Sequence, residues 1–145
     1  MKRILVIDDD PPVARIVKAA LDIVKVEHVL DYCSDGGQGR AKAAQGGYDL
    51  ICLDLSMPFM DGFEALGEMK RNPKSAQIPV VVITGEQEPE IHQRVMELGA
   101  AAVVTKPFEP MQLGNILQQV LAGGQVQPPP PPSATPGGRL RPLGT

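Results

Sequence analysis

Between Arg3 and Thr105 the chain alternates short runs that are apolar at nearly every position with longer segments whose apolar residues recur at helical spacing. Runs that are apolar on both faces suit a parallel sheet covered by helices. Arg3 to Ile7, Val29 to Cys33, Leu50 to Leu55, Val80 to Thr84 and Ala101 to Thr105 therefore predict five strands, the second being the weakest. After Asp10, a good N-cap, and Pro11, suited to the first helical position, Val13, Ile16, Val17, Ala20, Leu21 and Val24 predict a first helix. Phe63, Leu66 and Met69 predict a third, and Ile91, Val95 and Leu98 a fourth, closed by Gly99. Leu113, Ile116, Leu117, Val120 and Leu121 predict the last helix, after Pro110. A second helix, around Gly37 to Ala44, is the least determined, with three glycines (Gly36, Gly37 and Gly39) and little apolar content. Five β-α units with right-handed crossovers predict an α/β fold with one doubly wound parallel sheet in residues 1–122.

The pattern stops at Gly123. Residues 123–145 hold 12 prolines and glycines among 23, with no acidic or aromatic residue, and predict a disordered tail or linker. Pro128 to Pro132 favour a polyproline II rod, and a docking motif for a proline-binding module is the less favoured reading. The chain's 43% apolar content supplies a core. No apolar run approaches the roughly 18–20 residues needed to cross a bilayer. Three aspartates follow the first apolar run, where a signal peptide would place small residues. The expectation is a cytoplasmic protein without a membrane partner.

Charge narrows the function further. The net charge is −3, and residues 1–122 carry −5, because Arg139 and Arg141 are the only charges beyond Ala122. Such a domain repels phosphate backbones, so no direct nucleic-acid partner is expected. Cys33 and Cys52 lack CxxC spacing, and Cys52, inside an apolar run, predicts a buried reduced thiol. His28 and His92 read as surface residues without partners.

In an open parallel sheet the site lies at the carboxyl ends of the strands. Here those ends carry Asp8, Asp9 and Asp10; Asp54, followed by Ser56; Thr84; and Lys106. If the first and third strands are neighbours, carboxylates converge beside a hydroxyl and an ammonium. Such carboxylates raise one another's pKa unless a cation neutralises them, and their hard oxygens suit Mg²⁺. A carboxylate beside the metal can attack phosphorus, while hydroxyl and ammonium hold the phosphoryl oxygens. The residue types thus describe a phosphoryl-acceptor site. Taken singly they have plainer readings: Asp10 caps a helix, Thr84 ends a strand, and Lys106 is a solvated charge.

ILVIDDDPP, DLICLDLSMPFMDG, VVVITG and VVTKPF, in this order and spacing, resemble the receiver domain of two-component response regulators. The resemblance covers residues 2 to about 122. It implies a flavodoxin-like sheet in the order 2-1-3-4-5, with the first and third strands side by side. It implies Asp54 as the aspartate phosphorylated by a sensor histidine kinase or phosphotransfer protein. Asp8, Asp9, Asp54 and the main-chain carbonyl of Ser56 would hold Mg²⁺, with Asp9 the more direct ligand of the acidic pair. Thr84 would donate its hydroxyl to the phosphoryl group, and Lys106, preceding a cis bond to Pro107, would pair with the acyl phosphate. Signalling would run through phosphorylation-dependent binding of an output protein, and phosphorylation-linked dimerisation through the fourth and fifth helices is left open.

One position departs from the family. Receivers usually carry an aromatic three residues before the lysine, and here Val103 stands there. A valine cannot reproduce a ring switch, so any output face is expected to respond through helix movement. Met57, Pro58, Asp61 and Gly62 read as turn and helix-start residues. Two other functions compete. A haloacid-dehalogenase-type phosphatase would use Asp8 as nucleophile and Asp10 as acid/base, but Pro12 stands where that family wants Thr or Val, and only Glu109 follows the lysine. A receiver fold used as a passive interaction module is opposed by the complete aspartate, threonine and lysine set and mildly favoured by Val103. The expected activity is therefore self-phosphorylation and its reversal, not catalysis on an external substrate.

Overall fold

The computed structural model describes residues 1–58 and 60–123. The expected tail, Gly123 excepted, lies outside the described residues. The chain runs through β1 (Lys2–Ile7), α1 (Pro11–Ile23), β2 (His28–Cys33), α2 (Gly36–Gln45) and β3 (Leu50–Asp54). It continues through β4 (Ser56–Met57), β5 (Met60–Asp61), α3 (Gly62–Arg71), β6 (Val80–Thr84), α4 (Pro89–Glu97), β7 (Ala102–Thr105) and α5 (Pro110–Leu121). Five strands pair in parallel in the order β2-β1-β3-β6-β7. This is the expected 2-1-3-4-5 order; β4 and β5 form a small separate antiparallel hairpin that the apolar pattern did not predict.

Both faces of the sheet are covered, which explains why its strands are apolar at consecutive positions. On one side Ile4, Val6, Leu50, Cys52 and Ile83 pack under α1 and α5 through Val13, Val17, Leu21, Leu113 and Leu117. On the other, Leu5, Ile7, Ile51, Leu53 and Val82 meet Leu66, Met69 and Val95 of α3 and α4. The parity alternates along each strand, as the pleat requires. β2, at the sheet's edge, has Val29 half exposed, in keeping with its weaker pattern.

The poorly determined second helix is regular. The Asp35 side chain caps it, accepting from the amides of Gly37 at 2.6 Å and Gln38 at 3.2 Å. Its glycines are explained by proximity. A Cβ on Gly39 would lie 2.6 Å from Ile7 Cγ2, so α2 packs onto the sheet by close approach rather than by large side chains. Asp10 departs from expectation in the opposite way. It occupies the N-cap position of α1, but its side chain makes no capping bond. The next two residues are Pro11 and Pro12, which have no N–H, and Val13 N already bonds Asp10 O at 3.0 Å, so no amide needs the carboxylate. Gly99 follows α4 with φ +107°, the left-handed turn expected there. Cys33 and Cys52 are buried and unpaired, and burial pushes the Cys52 thiol up to about 12. Among the described residues no helix is long and apolar enough to cross a membrane.

Candidate functional site

Register aligns the chemistry. Ile7 lies opposite Leu53, so Asp8 and Asp54, each one residue further on, come level where β1 and β3 end. Thr84 lies opposite Thr105, which brings Lys106 to the same rim from β7. Carboxylate oxygens of Asp8, Asp9 and Asp54 lie within 4.8 Å of one another. Lys106 Nζ stands 3.3 Å from Asp8 Oδ2 and 3.8 Å from Asp54 Oδ2, and the Lys106–Pro107 bond is cis. Asp8 and Asp54 are buried, whereas Asp9 is exposed at the mouth. A groove leads outward from Asp9 between Ser34–Gly37 and Met57–Pro58.

Main-chain amides hold the two buried carboxylates. Asp10 N–H donates to Asp8 Oδ1 at 2.8 Å, and Ser56 N–H to Asp54 Oδ1 at 3.1 Å. Thr84 is fully buried, and its Oγ1 accepts the Glu86 N–H at 3.0 Å. Asp61 caps α3 with its side chain, accepting from the amides of Phe63 and Glu64, so its expected structural role holds. Met57, expected in a turn, belongs to β4 of the small hairpin, paired with Met60, and is buried in the core.

The electrostatics of the rim are unbalanced toward negative charge. Burial is the main cause that raises Asp8 to about 6, with Asp54 adding to it; the Asp10 amide and Lys106 oppose it. Asp54 is also raised, first by burial and then by Asp9, against the Ser56 amide and Lys106. Among the described residues Asp8 Oδ2 is buried without a hydrogen bond, with the Lys106 ammonium 3.3 Å away. Three clustered carboxylates, one of which has an orphaned oxygen, fit a divalent cation.

This imbalance has a measurable consequence. Between the ordinary value of 3.8 and about 6 the folded protein holds the Asp8 proton while the unfolded chain releases it. Stability therefore falls as pH rises through that window, and the full cost is present above it. In chelator near neutral pH, Asp8→Asn is expected to be more stable than the wild type by roughly 1–3 kcal/mol. The gap should close as pH falls below the window. Thermal melts of both proteins across that range check this, and a variant no more stable at neutral pH refutes it.

His28 and His92, expected on the surface without partners, and Tyr32, which the sequence did not single out, all differ in the structure. His92 is buried rather than on the surface, with Nε2 2.7 Å from the Glu86 carbonyl, because the β6–α4 loop folds back over the first turns of α4. The helical spacing of α4 reports the face it turns to the sheet and says nothing of a loop covering another side. His28 is half-buried and also partnered, its Nδ1 lying 2.8 Å from Val26 O. The Tyr32 hydroxyl is buried without a hydrogen bond among the described residues; burial and then Asp8, Asp9 and Asp10 hold it above the usual phenol range.

Residues 4–118 match the family model of the response regulator receiver domain. Among curated proteins, the chain is 31% identical over 123 residues to Protein PilH of Pseudomonas aeruginosa, covering 85% of this chain and all of that one. It is 36% identical over 109 residues to the DNA-binding dual master transcriptional regulator RpaA of a Synechocystis strain, covering 75% of this chain but 44% of that protein. The chain thus spans less than half the length of several curated relatives that it matches. Among solved structures, the Mn²⁺-bound form of response regulator Rcp1 superposes with a TM-score of 0.69 at 31% identity, covering 83% of this chain and 91% of that one.

Proposed function

The chain belongs to the response regulator receiver domains, the signalling modules of two-component systems, and from that premise we propose that it accepts a phosphoryl group on Asp54. The observation that carries this reading is the meeting of Asp8, Asp9 and Asp54 within 4.8 Å, with Lys106 Nζ beside both buried carboxylates. A buried, partly desolvated carboxylate held at one oxygen by the Ser56 amide keeps its other oxygen for attack on phosphorus. As the Asp54 oxygen bonds to phosphorus, the bond from phosphorus to the donor breaks, and the leaving group takes up a proton from solvent. The donor is a phosphohistidine of a sensor kinase or phosphotransfer protein.

Lys106 has the reach to follow the charge from the carboxylates to the new phosphoryl oxygens. Without a phosphoryl group Thr84 Oγ1 accepts from Glu86; on turning toward the new oxygens the hydroxyl gives up that bond and donates its own hydrogen to one of them. Asp8, Asp9, Asp54 and the Ser56 carbonyl would hold Mg²⁺. When bound, the cation neutralises the carboxylates and the charge that spreads over the phosphoryl oxygens. The output is a change in affinity for a protein partner, with no turnover of an external substrate.

Incubation with acetyl phosphate and Mg²⁺, followed by intact mass measurement, tests this. One added phosphoryl group, lost when the metal is chelated, is the expected result. No adduct, together with no binding of beryllofluoride, would sink it. It would leave the passive interaction module, which Val103 at the usual ring position favours.

A further inference from the structure

The loop between β6 and α4 has two hydrogen bonds that lead in opposite directions from one residue. The N–H of Glu86 donates to Thr84 Oγ1 at 3.0 Å, and the carbonyl of Glu86 lies 2.7 Å from His92 Nε2 in α4. A carbonyl only accepts, so Nε2 carries the hydrogen and donates. Residues 85–88 are exposed throughout, and a Cβ on Gly85 would meet nothing within 4 Å, so side-chain packing does little to place this loop. His92 itself is buried, and its main chain is tied to the loop as well, through His92 N–H to Glu88 O at 3.2 Å. Its neighbour Ile91 packs against the same core as Val103, a small side chain that leaves no ring to carry motion from the rim. A continuous hydrogen-bonded line therefore runs from the hydroxyl at the site, through one residue, into the first turns of α4.

We propose that His92 is a positioning residue that makes the placement of α4 depend on the state of Thr84. The trigger rests on the phosphoacceptor reading: when the Thr84 hydroxyl turns toward a phosphoryl group, the Glu86 amide loses its acceptor. The Glu86 carbonyl then transmits the loop's shift to the imidazole, and so to the helix. The bond to His92 takes the part that an inward-turning ring would otherwise play.

The coupling is testable without any phosphoryl group, by a cycle of Thr84→Val, His92→Phe and the double variant on the ligand-free protein. Amide hydrogen exchange in the first two turns of α4 is the readout. Thr84→Val is expected to speed exchange there by about fivefold or more in the presence of His92, and by much less in the His92→Phe background. Equal effects in the two backgrounds would overturn the proposal. Should His92→Phe fail to fold, the imidazole ¹⁵N shifts of His92 decide between wild type and Thr84→Val. A displaced Nε2 signal supports the line, and an unmoved one overturns it. Beryllofluoride binding plays no part here, so failure of this coupling and failure of the phosphoacceptor reading are separately visible.

Discussion

Asp54→Asn is expected to take up no phosphoryl group from acetyl phosphate under conditions that fully label the wild type. Asp54 is 4% exposed at the end of β3, and its Oδ1 is already committed to the Ser56 amide. Asparagine fits the same space and can keep that bond through its carbonyl oxygen, so the fold should survive. What it loses is the second anionic oxygen, which faces Lys106, and with it the lone pair that attacks phosphorus. Removing one of three clustered carboxylates should also weaken divalent metal binding, by about tenfold or more. Intact mass and a metal titration read the two effects independently. An adduct of unchanged stoichiometry on the variant would mean that another group, Asp8 or Asp9 first, is the acceptor.

Gly62→Ala should cost about 2–4 kcal/mol of stability and slow phosphoryl uptake with it. Gly62 opens α3 and is buried against Leu55, the residue between Asp54 and Ser56. A Cβ there would lie 2.4 Å from the Leu55 carbonyl oxygen and 2.8 Å from its Cα. These are main-chain atoms, so no rotamer change can make room; either α3 retreats or the acceptor loop moves. Alanine's better helix propensity, up to about 1 kcal/mol in a helix interior, offsets only part of this. A melting temperature lower by about 10 °C is expected for a domain of this size. Displacing the acceptor carboxylate by a fraction of an ångström should slow its modification by about tenfold or more. An alanine variant as stable and as readily modified as the wild type would show that the loop yields freely.

Much of this was legible because strand and site are adjacent in the chain. Asp8, Asp54, Thr84 and Lys106 each end or directly follow an apolar run, so a reading that finds the strands also finds these residues at its margins. The small hairpin β4–β5 escaped because two-residue strands have no periodicity to detect. The weakness of α2 in the sequence had a related cause. Propensity and apolar content undervalue a helix whose glycines serve close packing against Ile7. Asp10 misled in the reverse sense, since the preference for aspartate at an N-cap presumes amides that Pro11 and Pro12 do not have.

The amino-acid pattern by itself determined the five strands, their burial on both faces and the residue types at their ends, because these follow from local periodicity and from what must be hidden from water. The distances among those ends were decided by the tertiary structure alone. Strand order and register set Asp8 level with Asp54 and bring Lys106 closer to Asp8, at 3.3 Å, than to Asp54, at 3.8 Å. The same holds for the orphaned oxygen of Asp8 and the covered imidazole of His92. Burial of a polar atom depends on segments that are distant in sequence or that fold back after a turn, and no local pattern records where they come to rest.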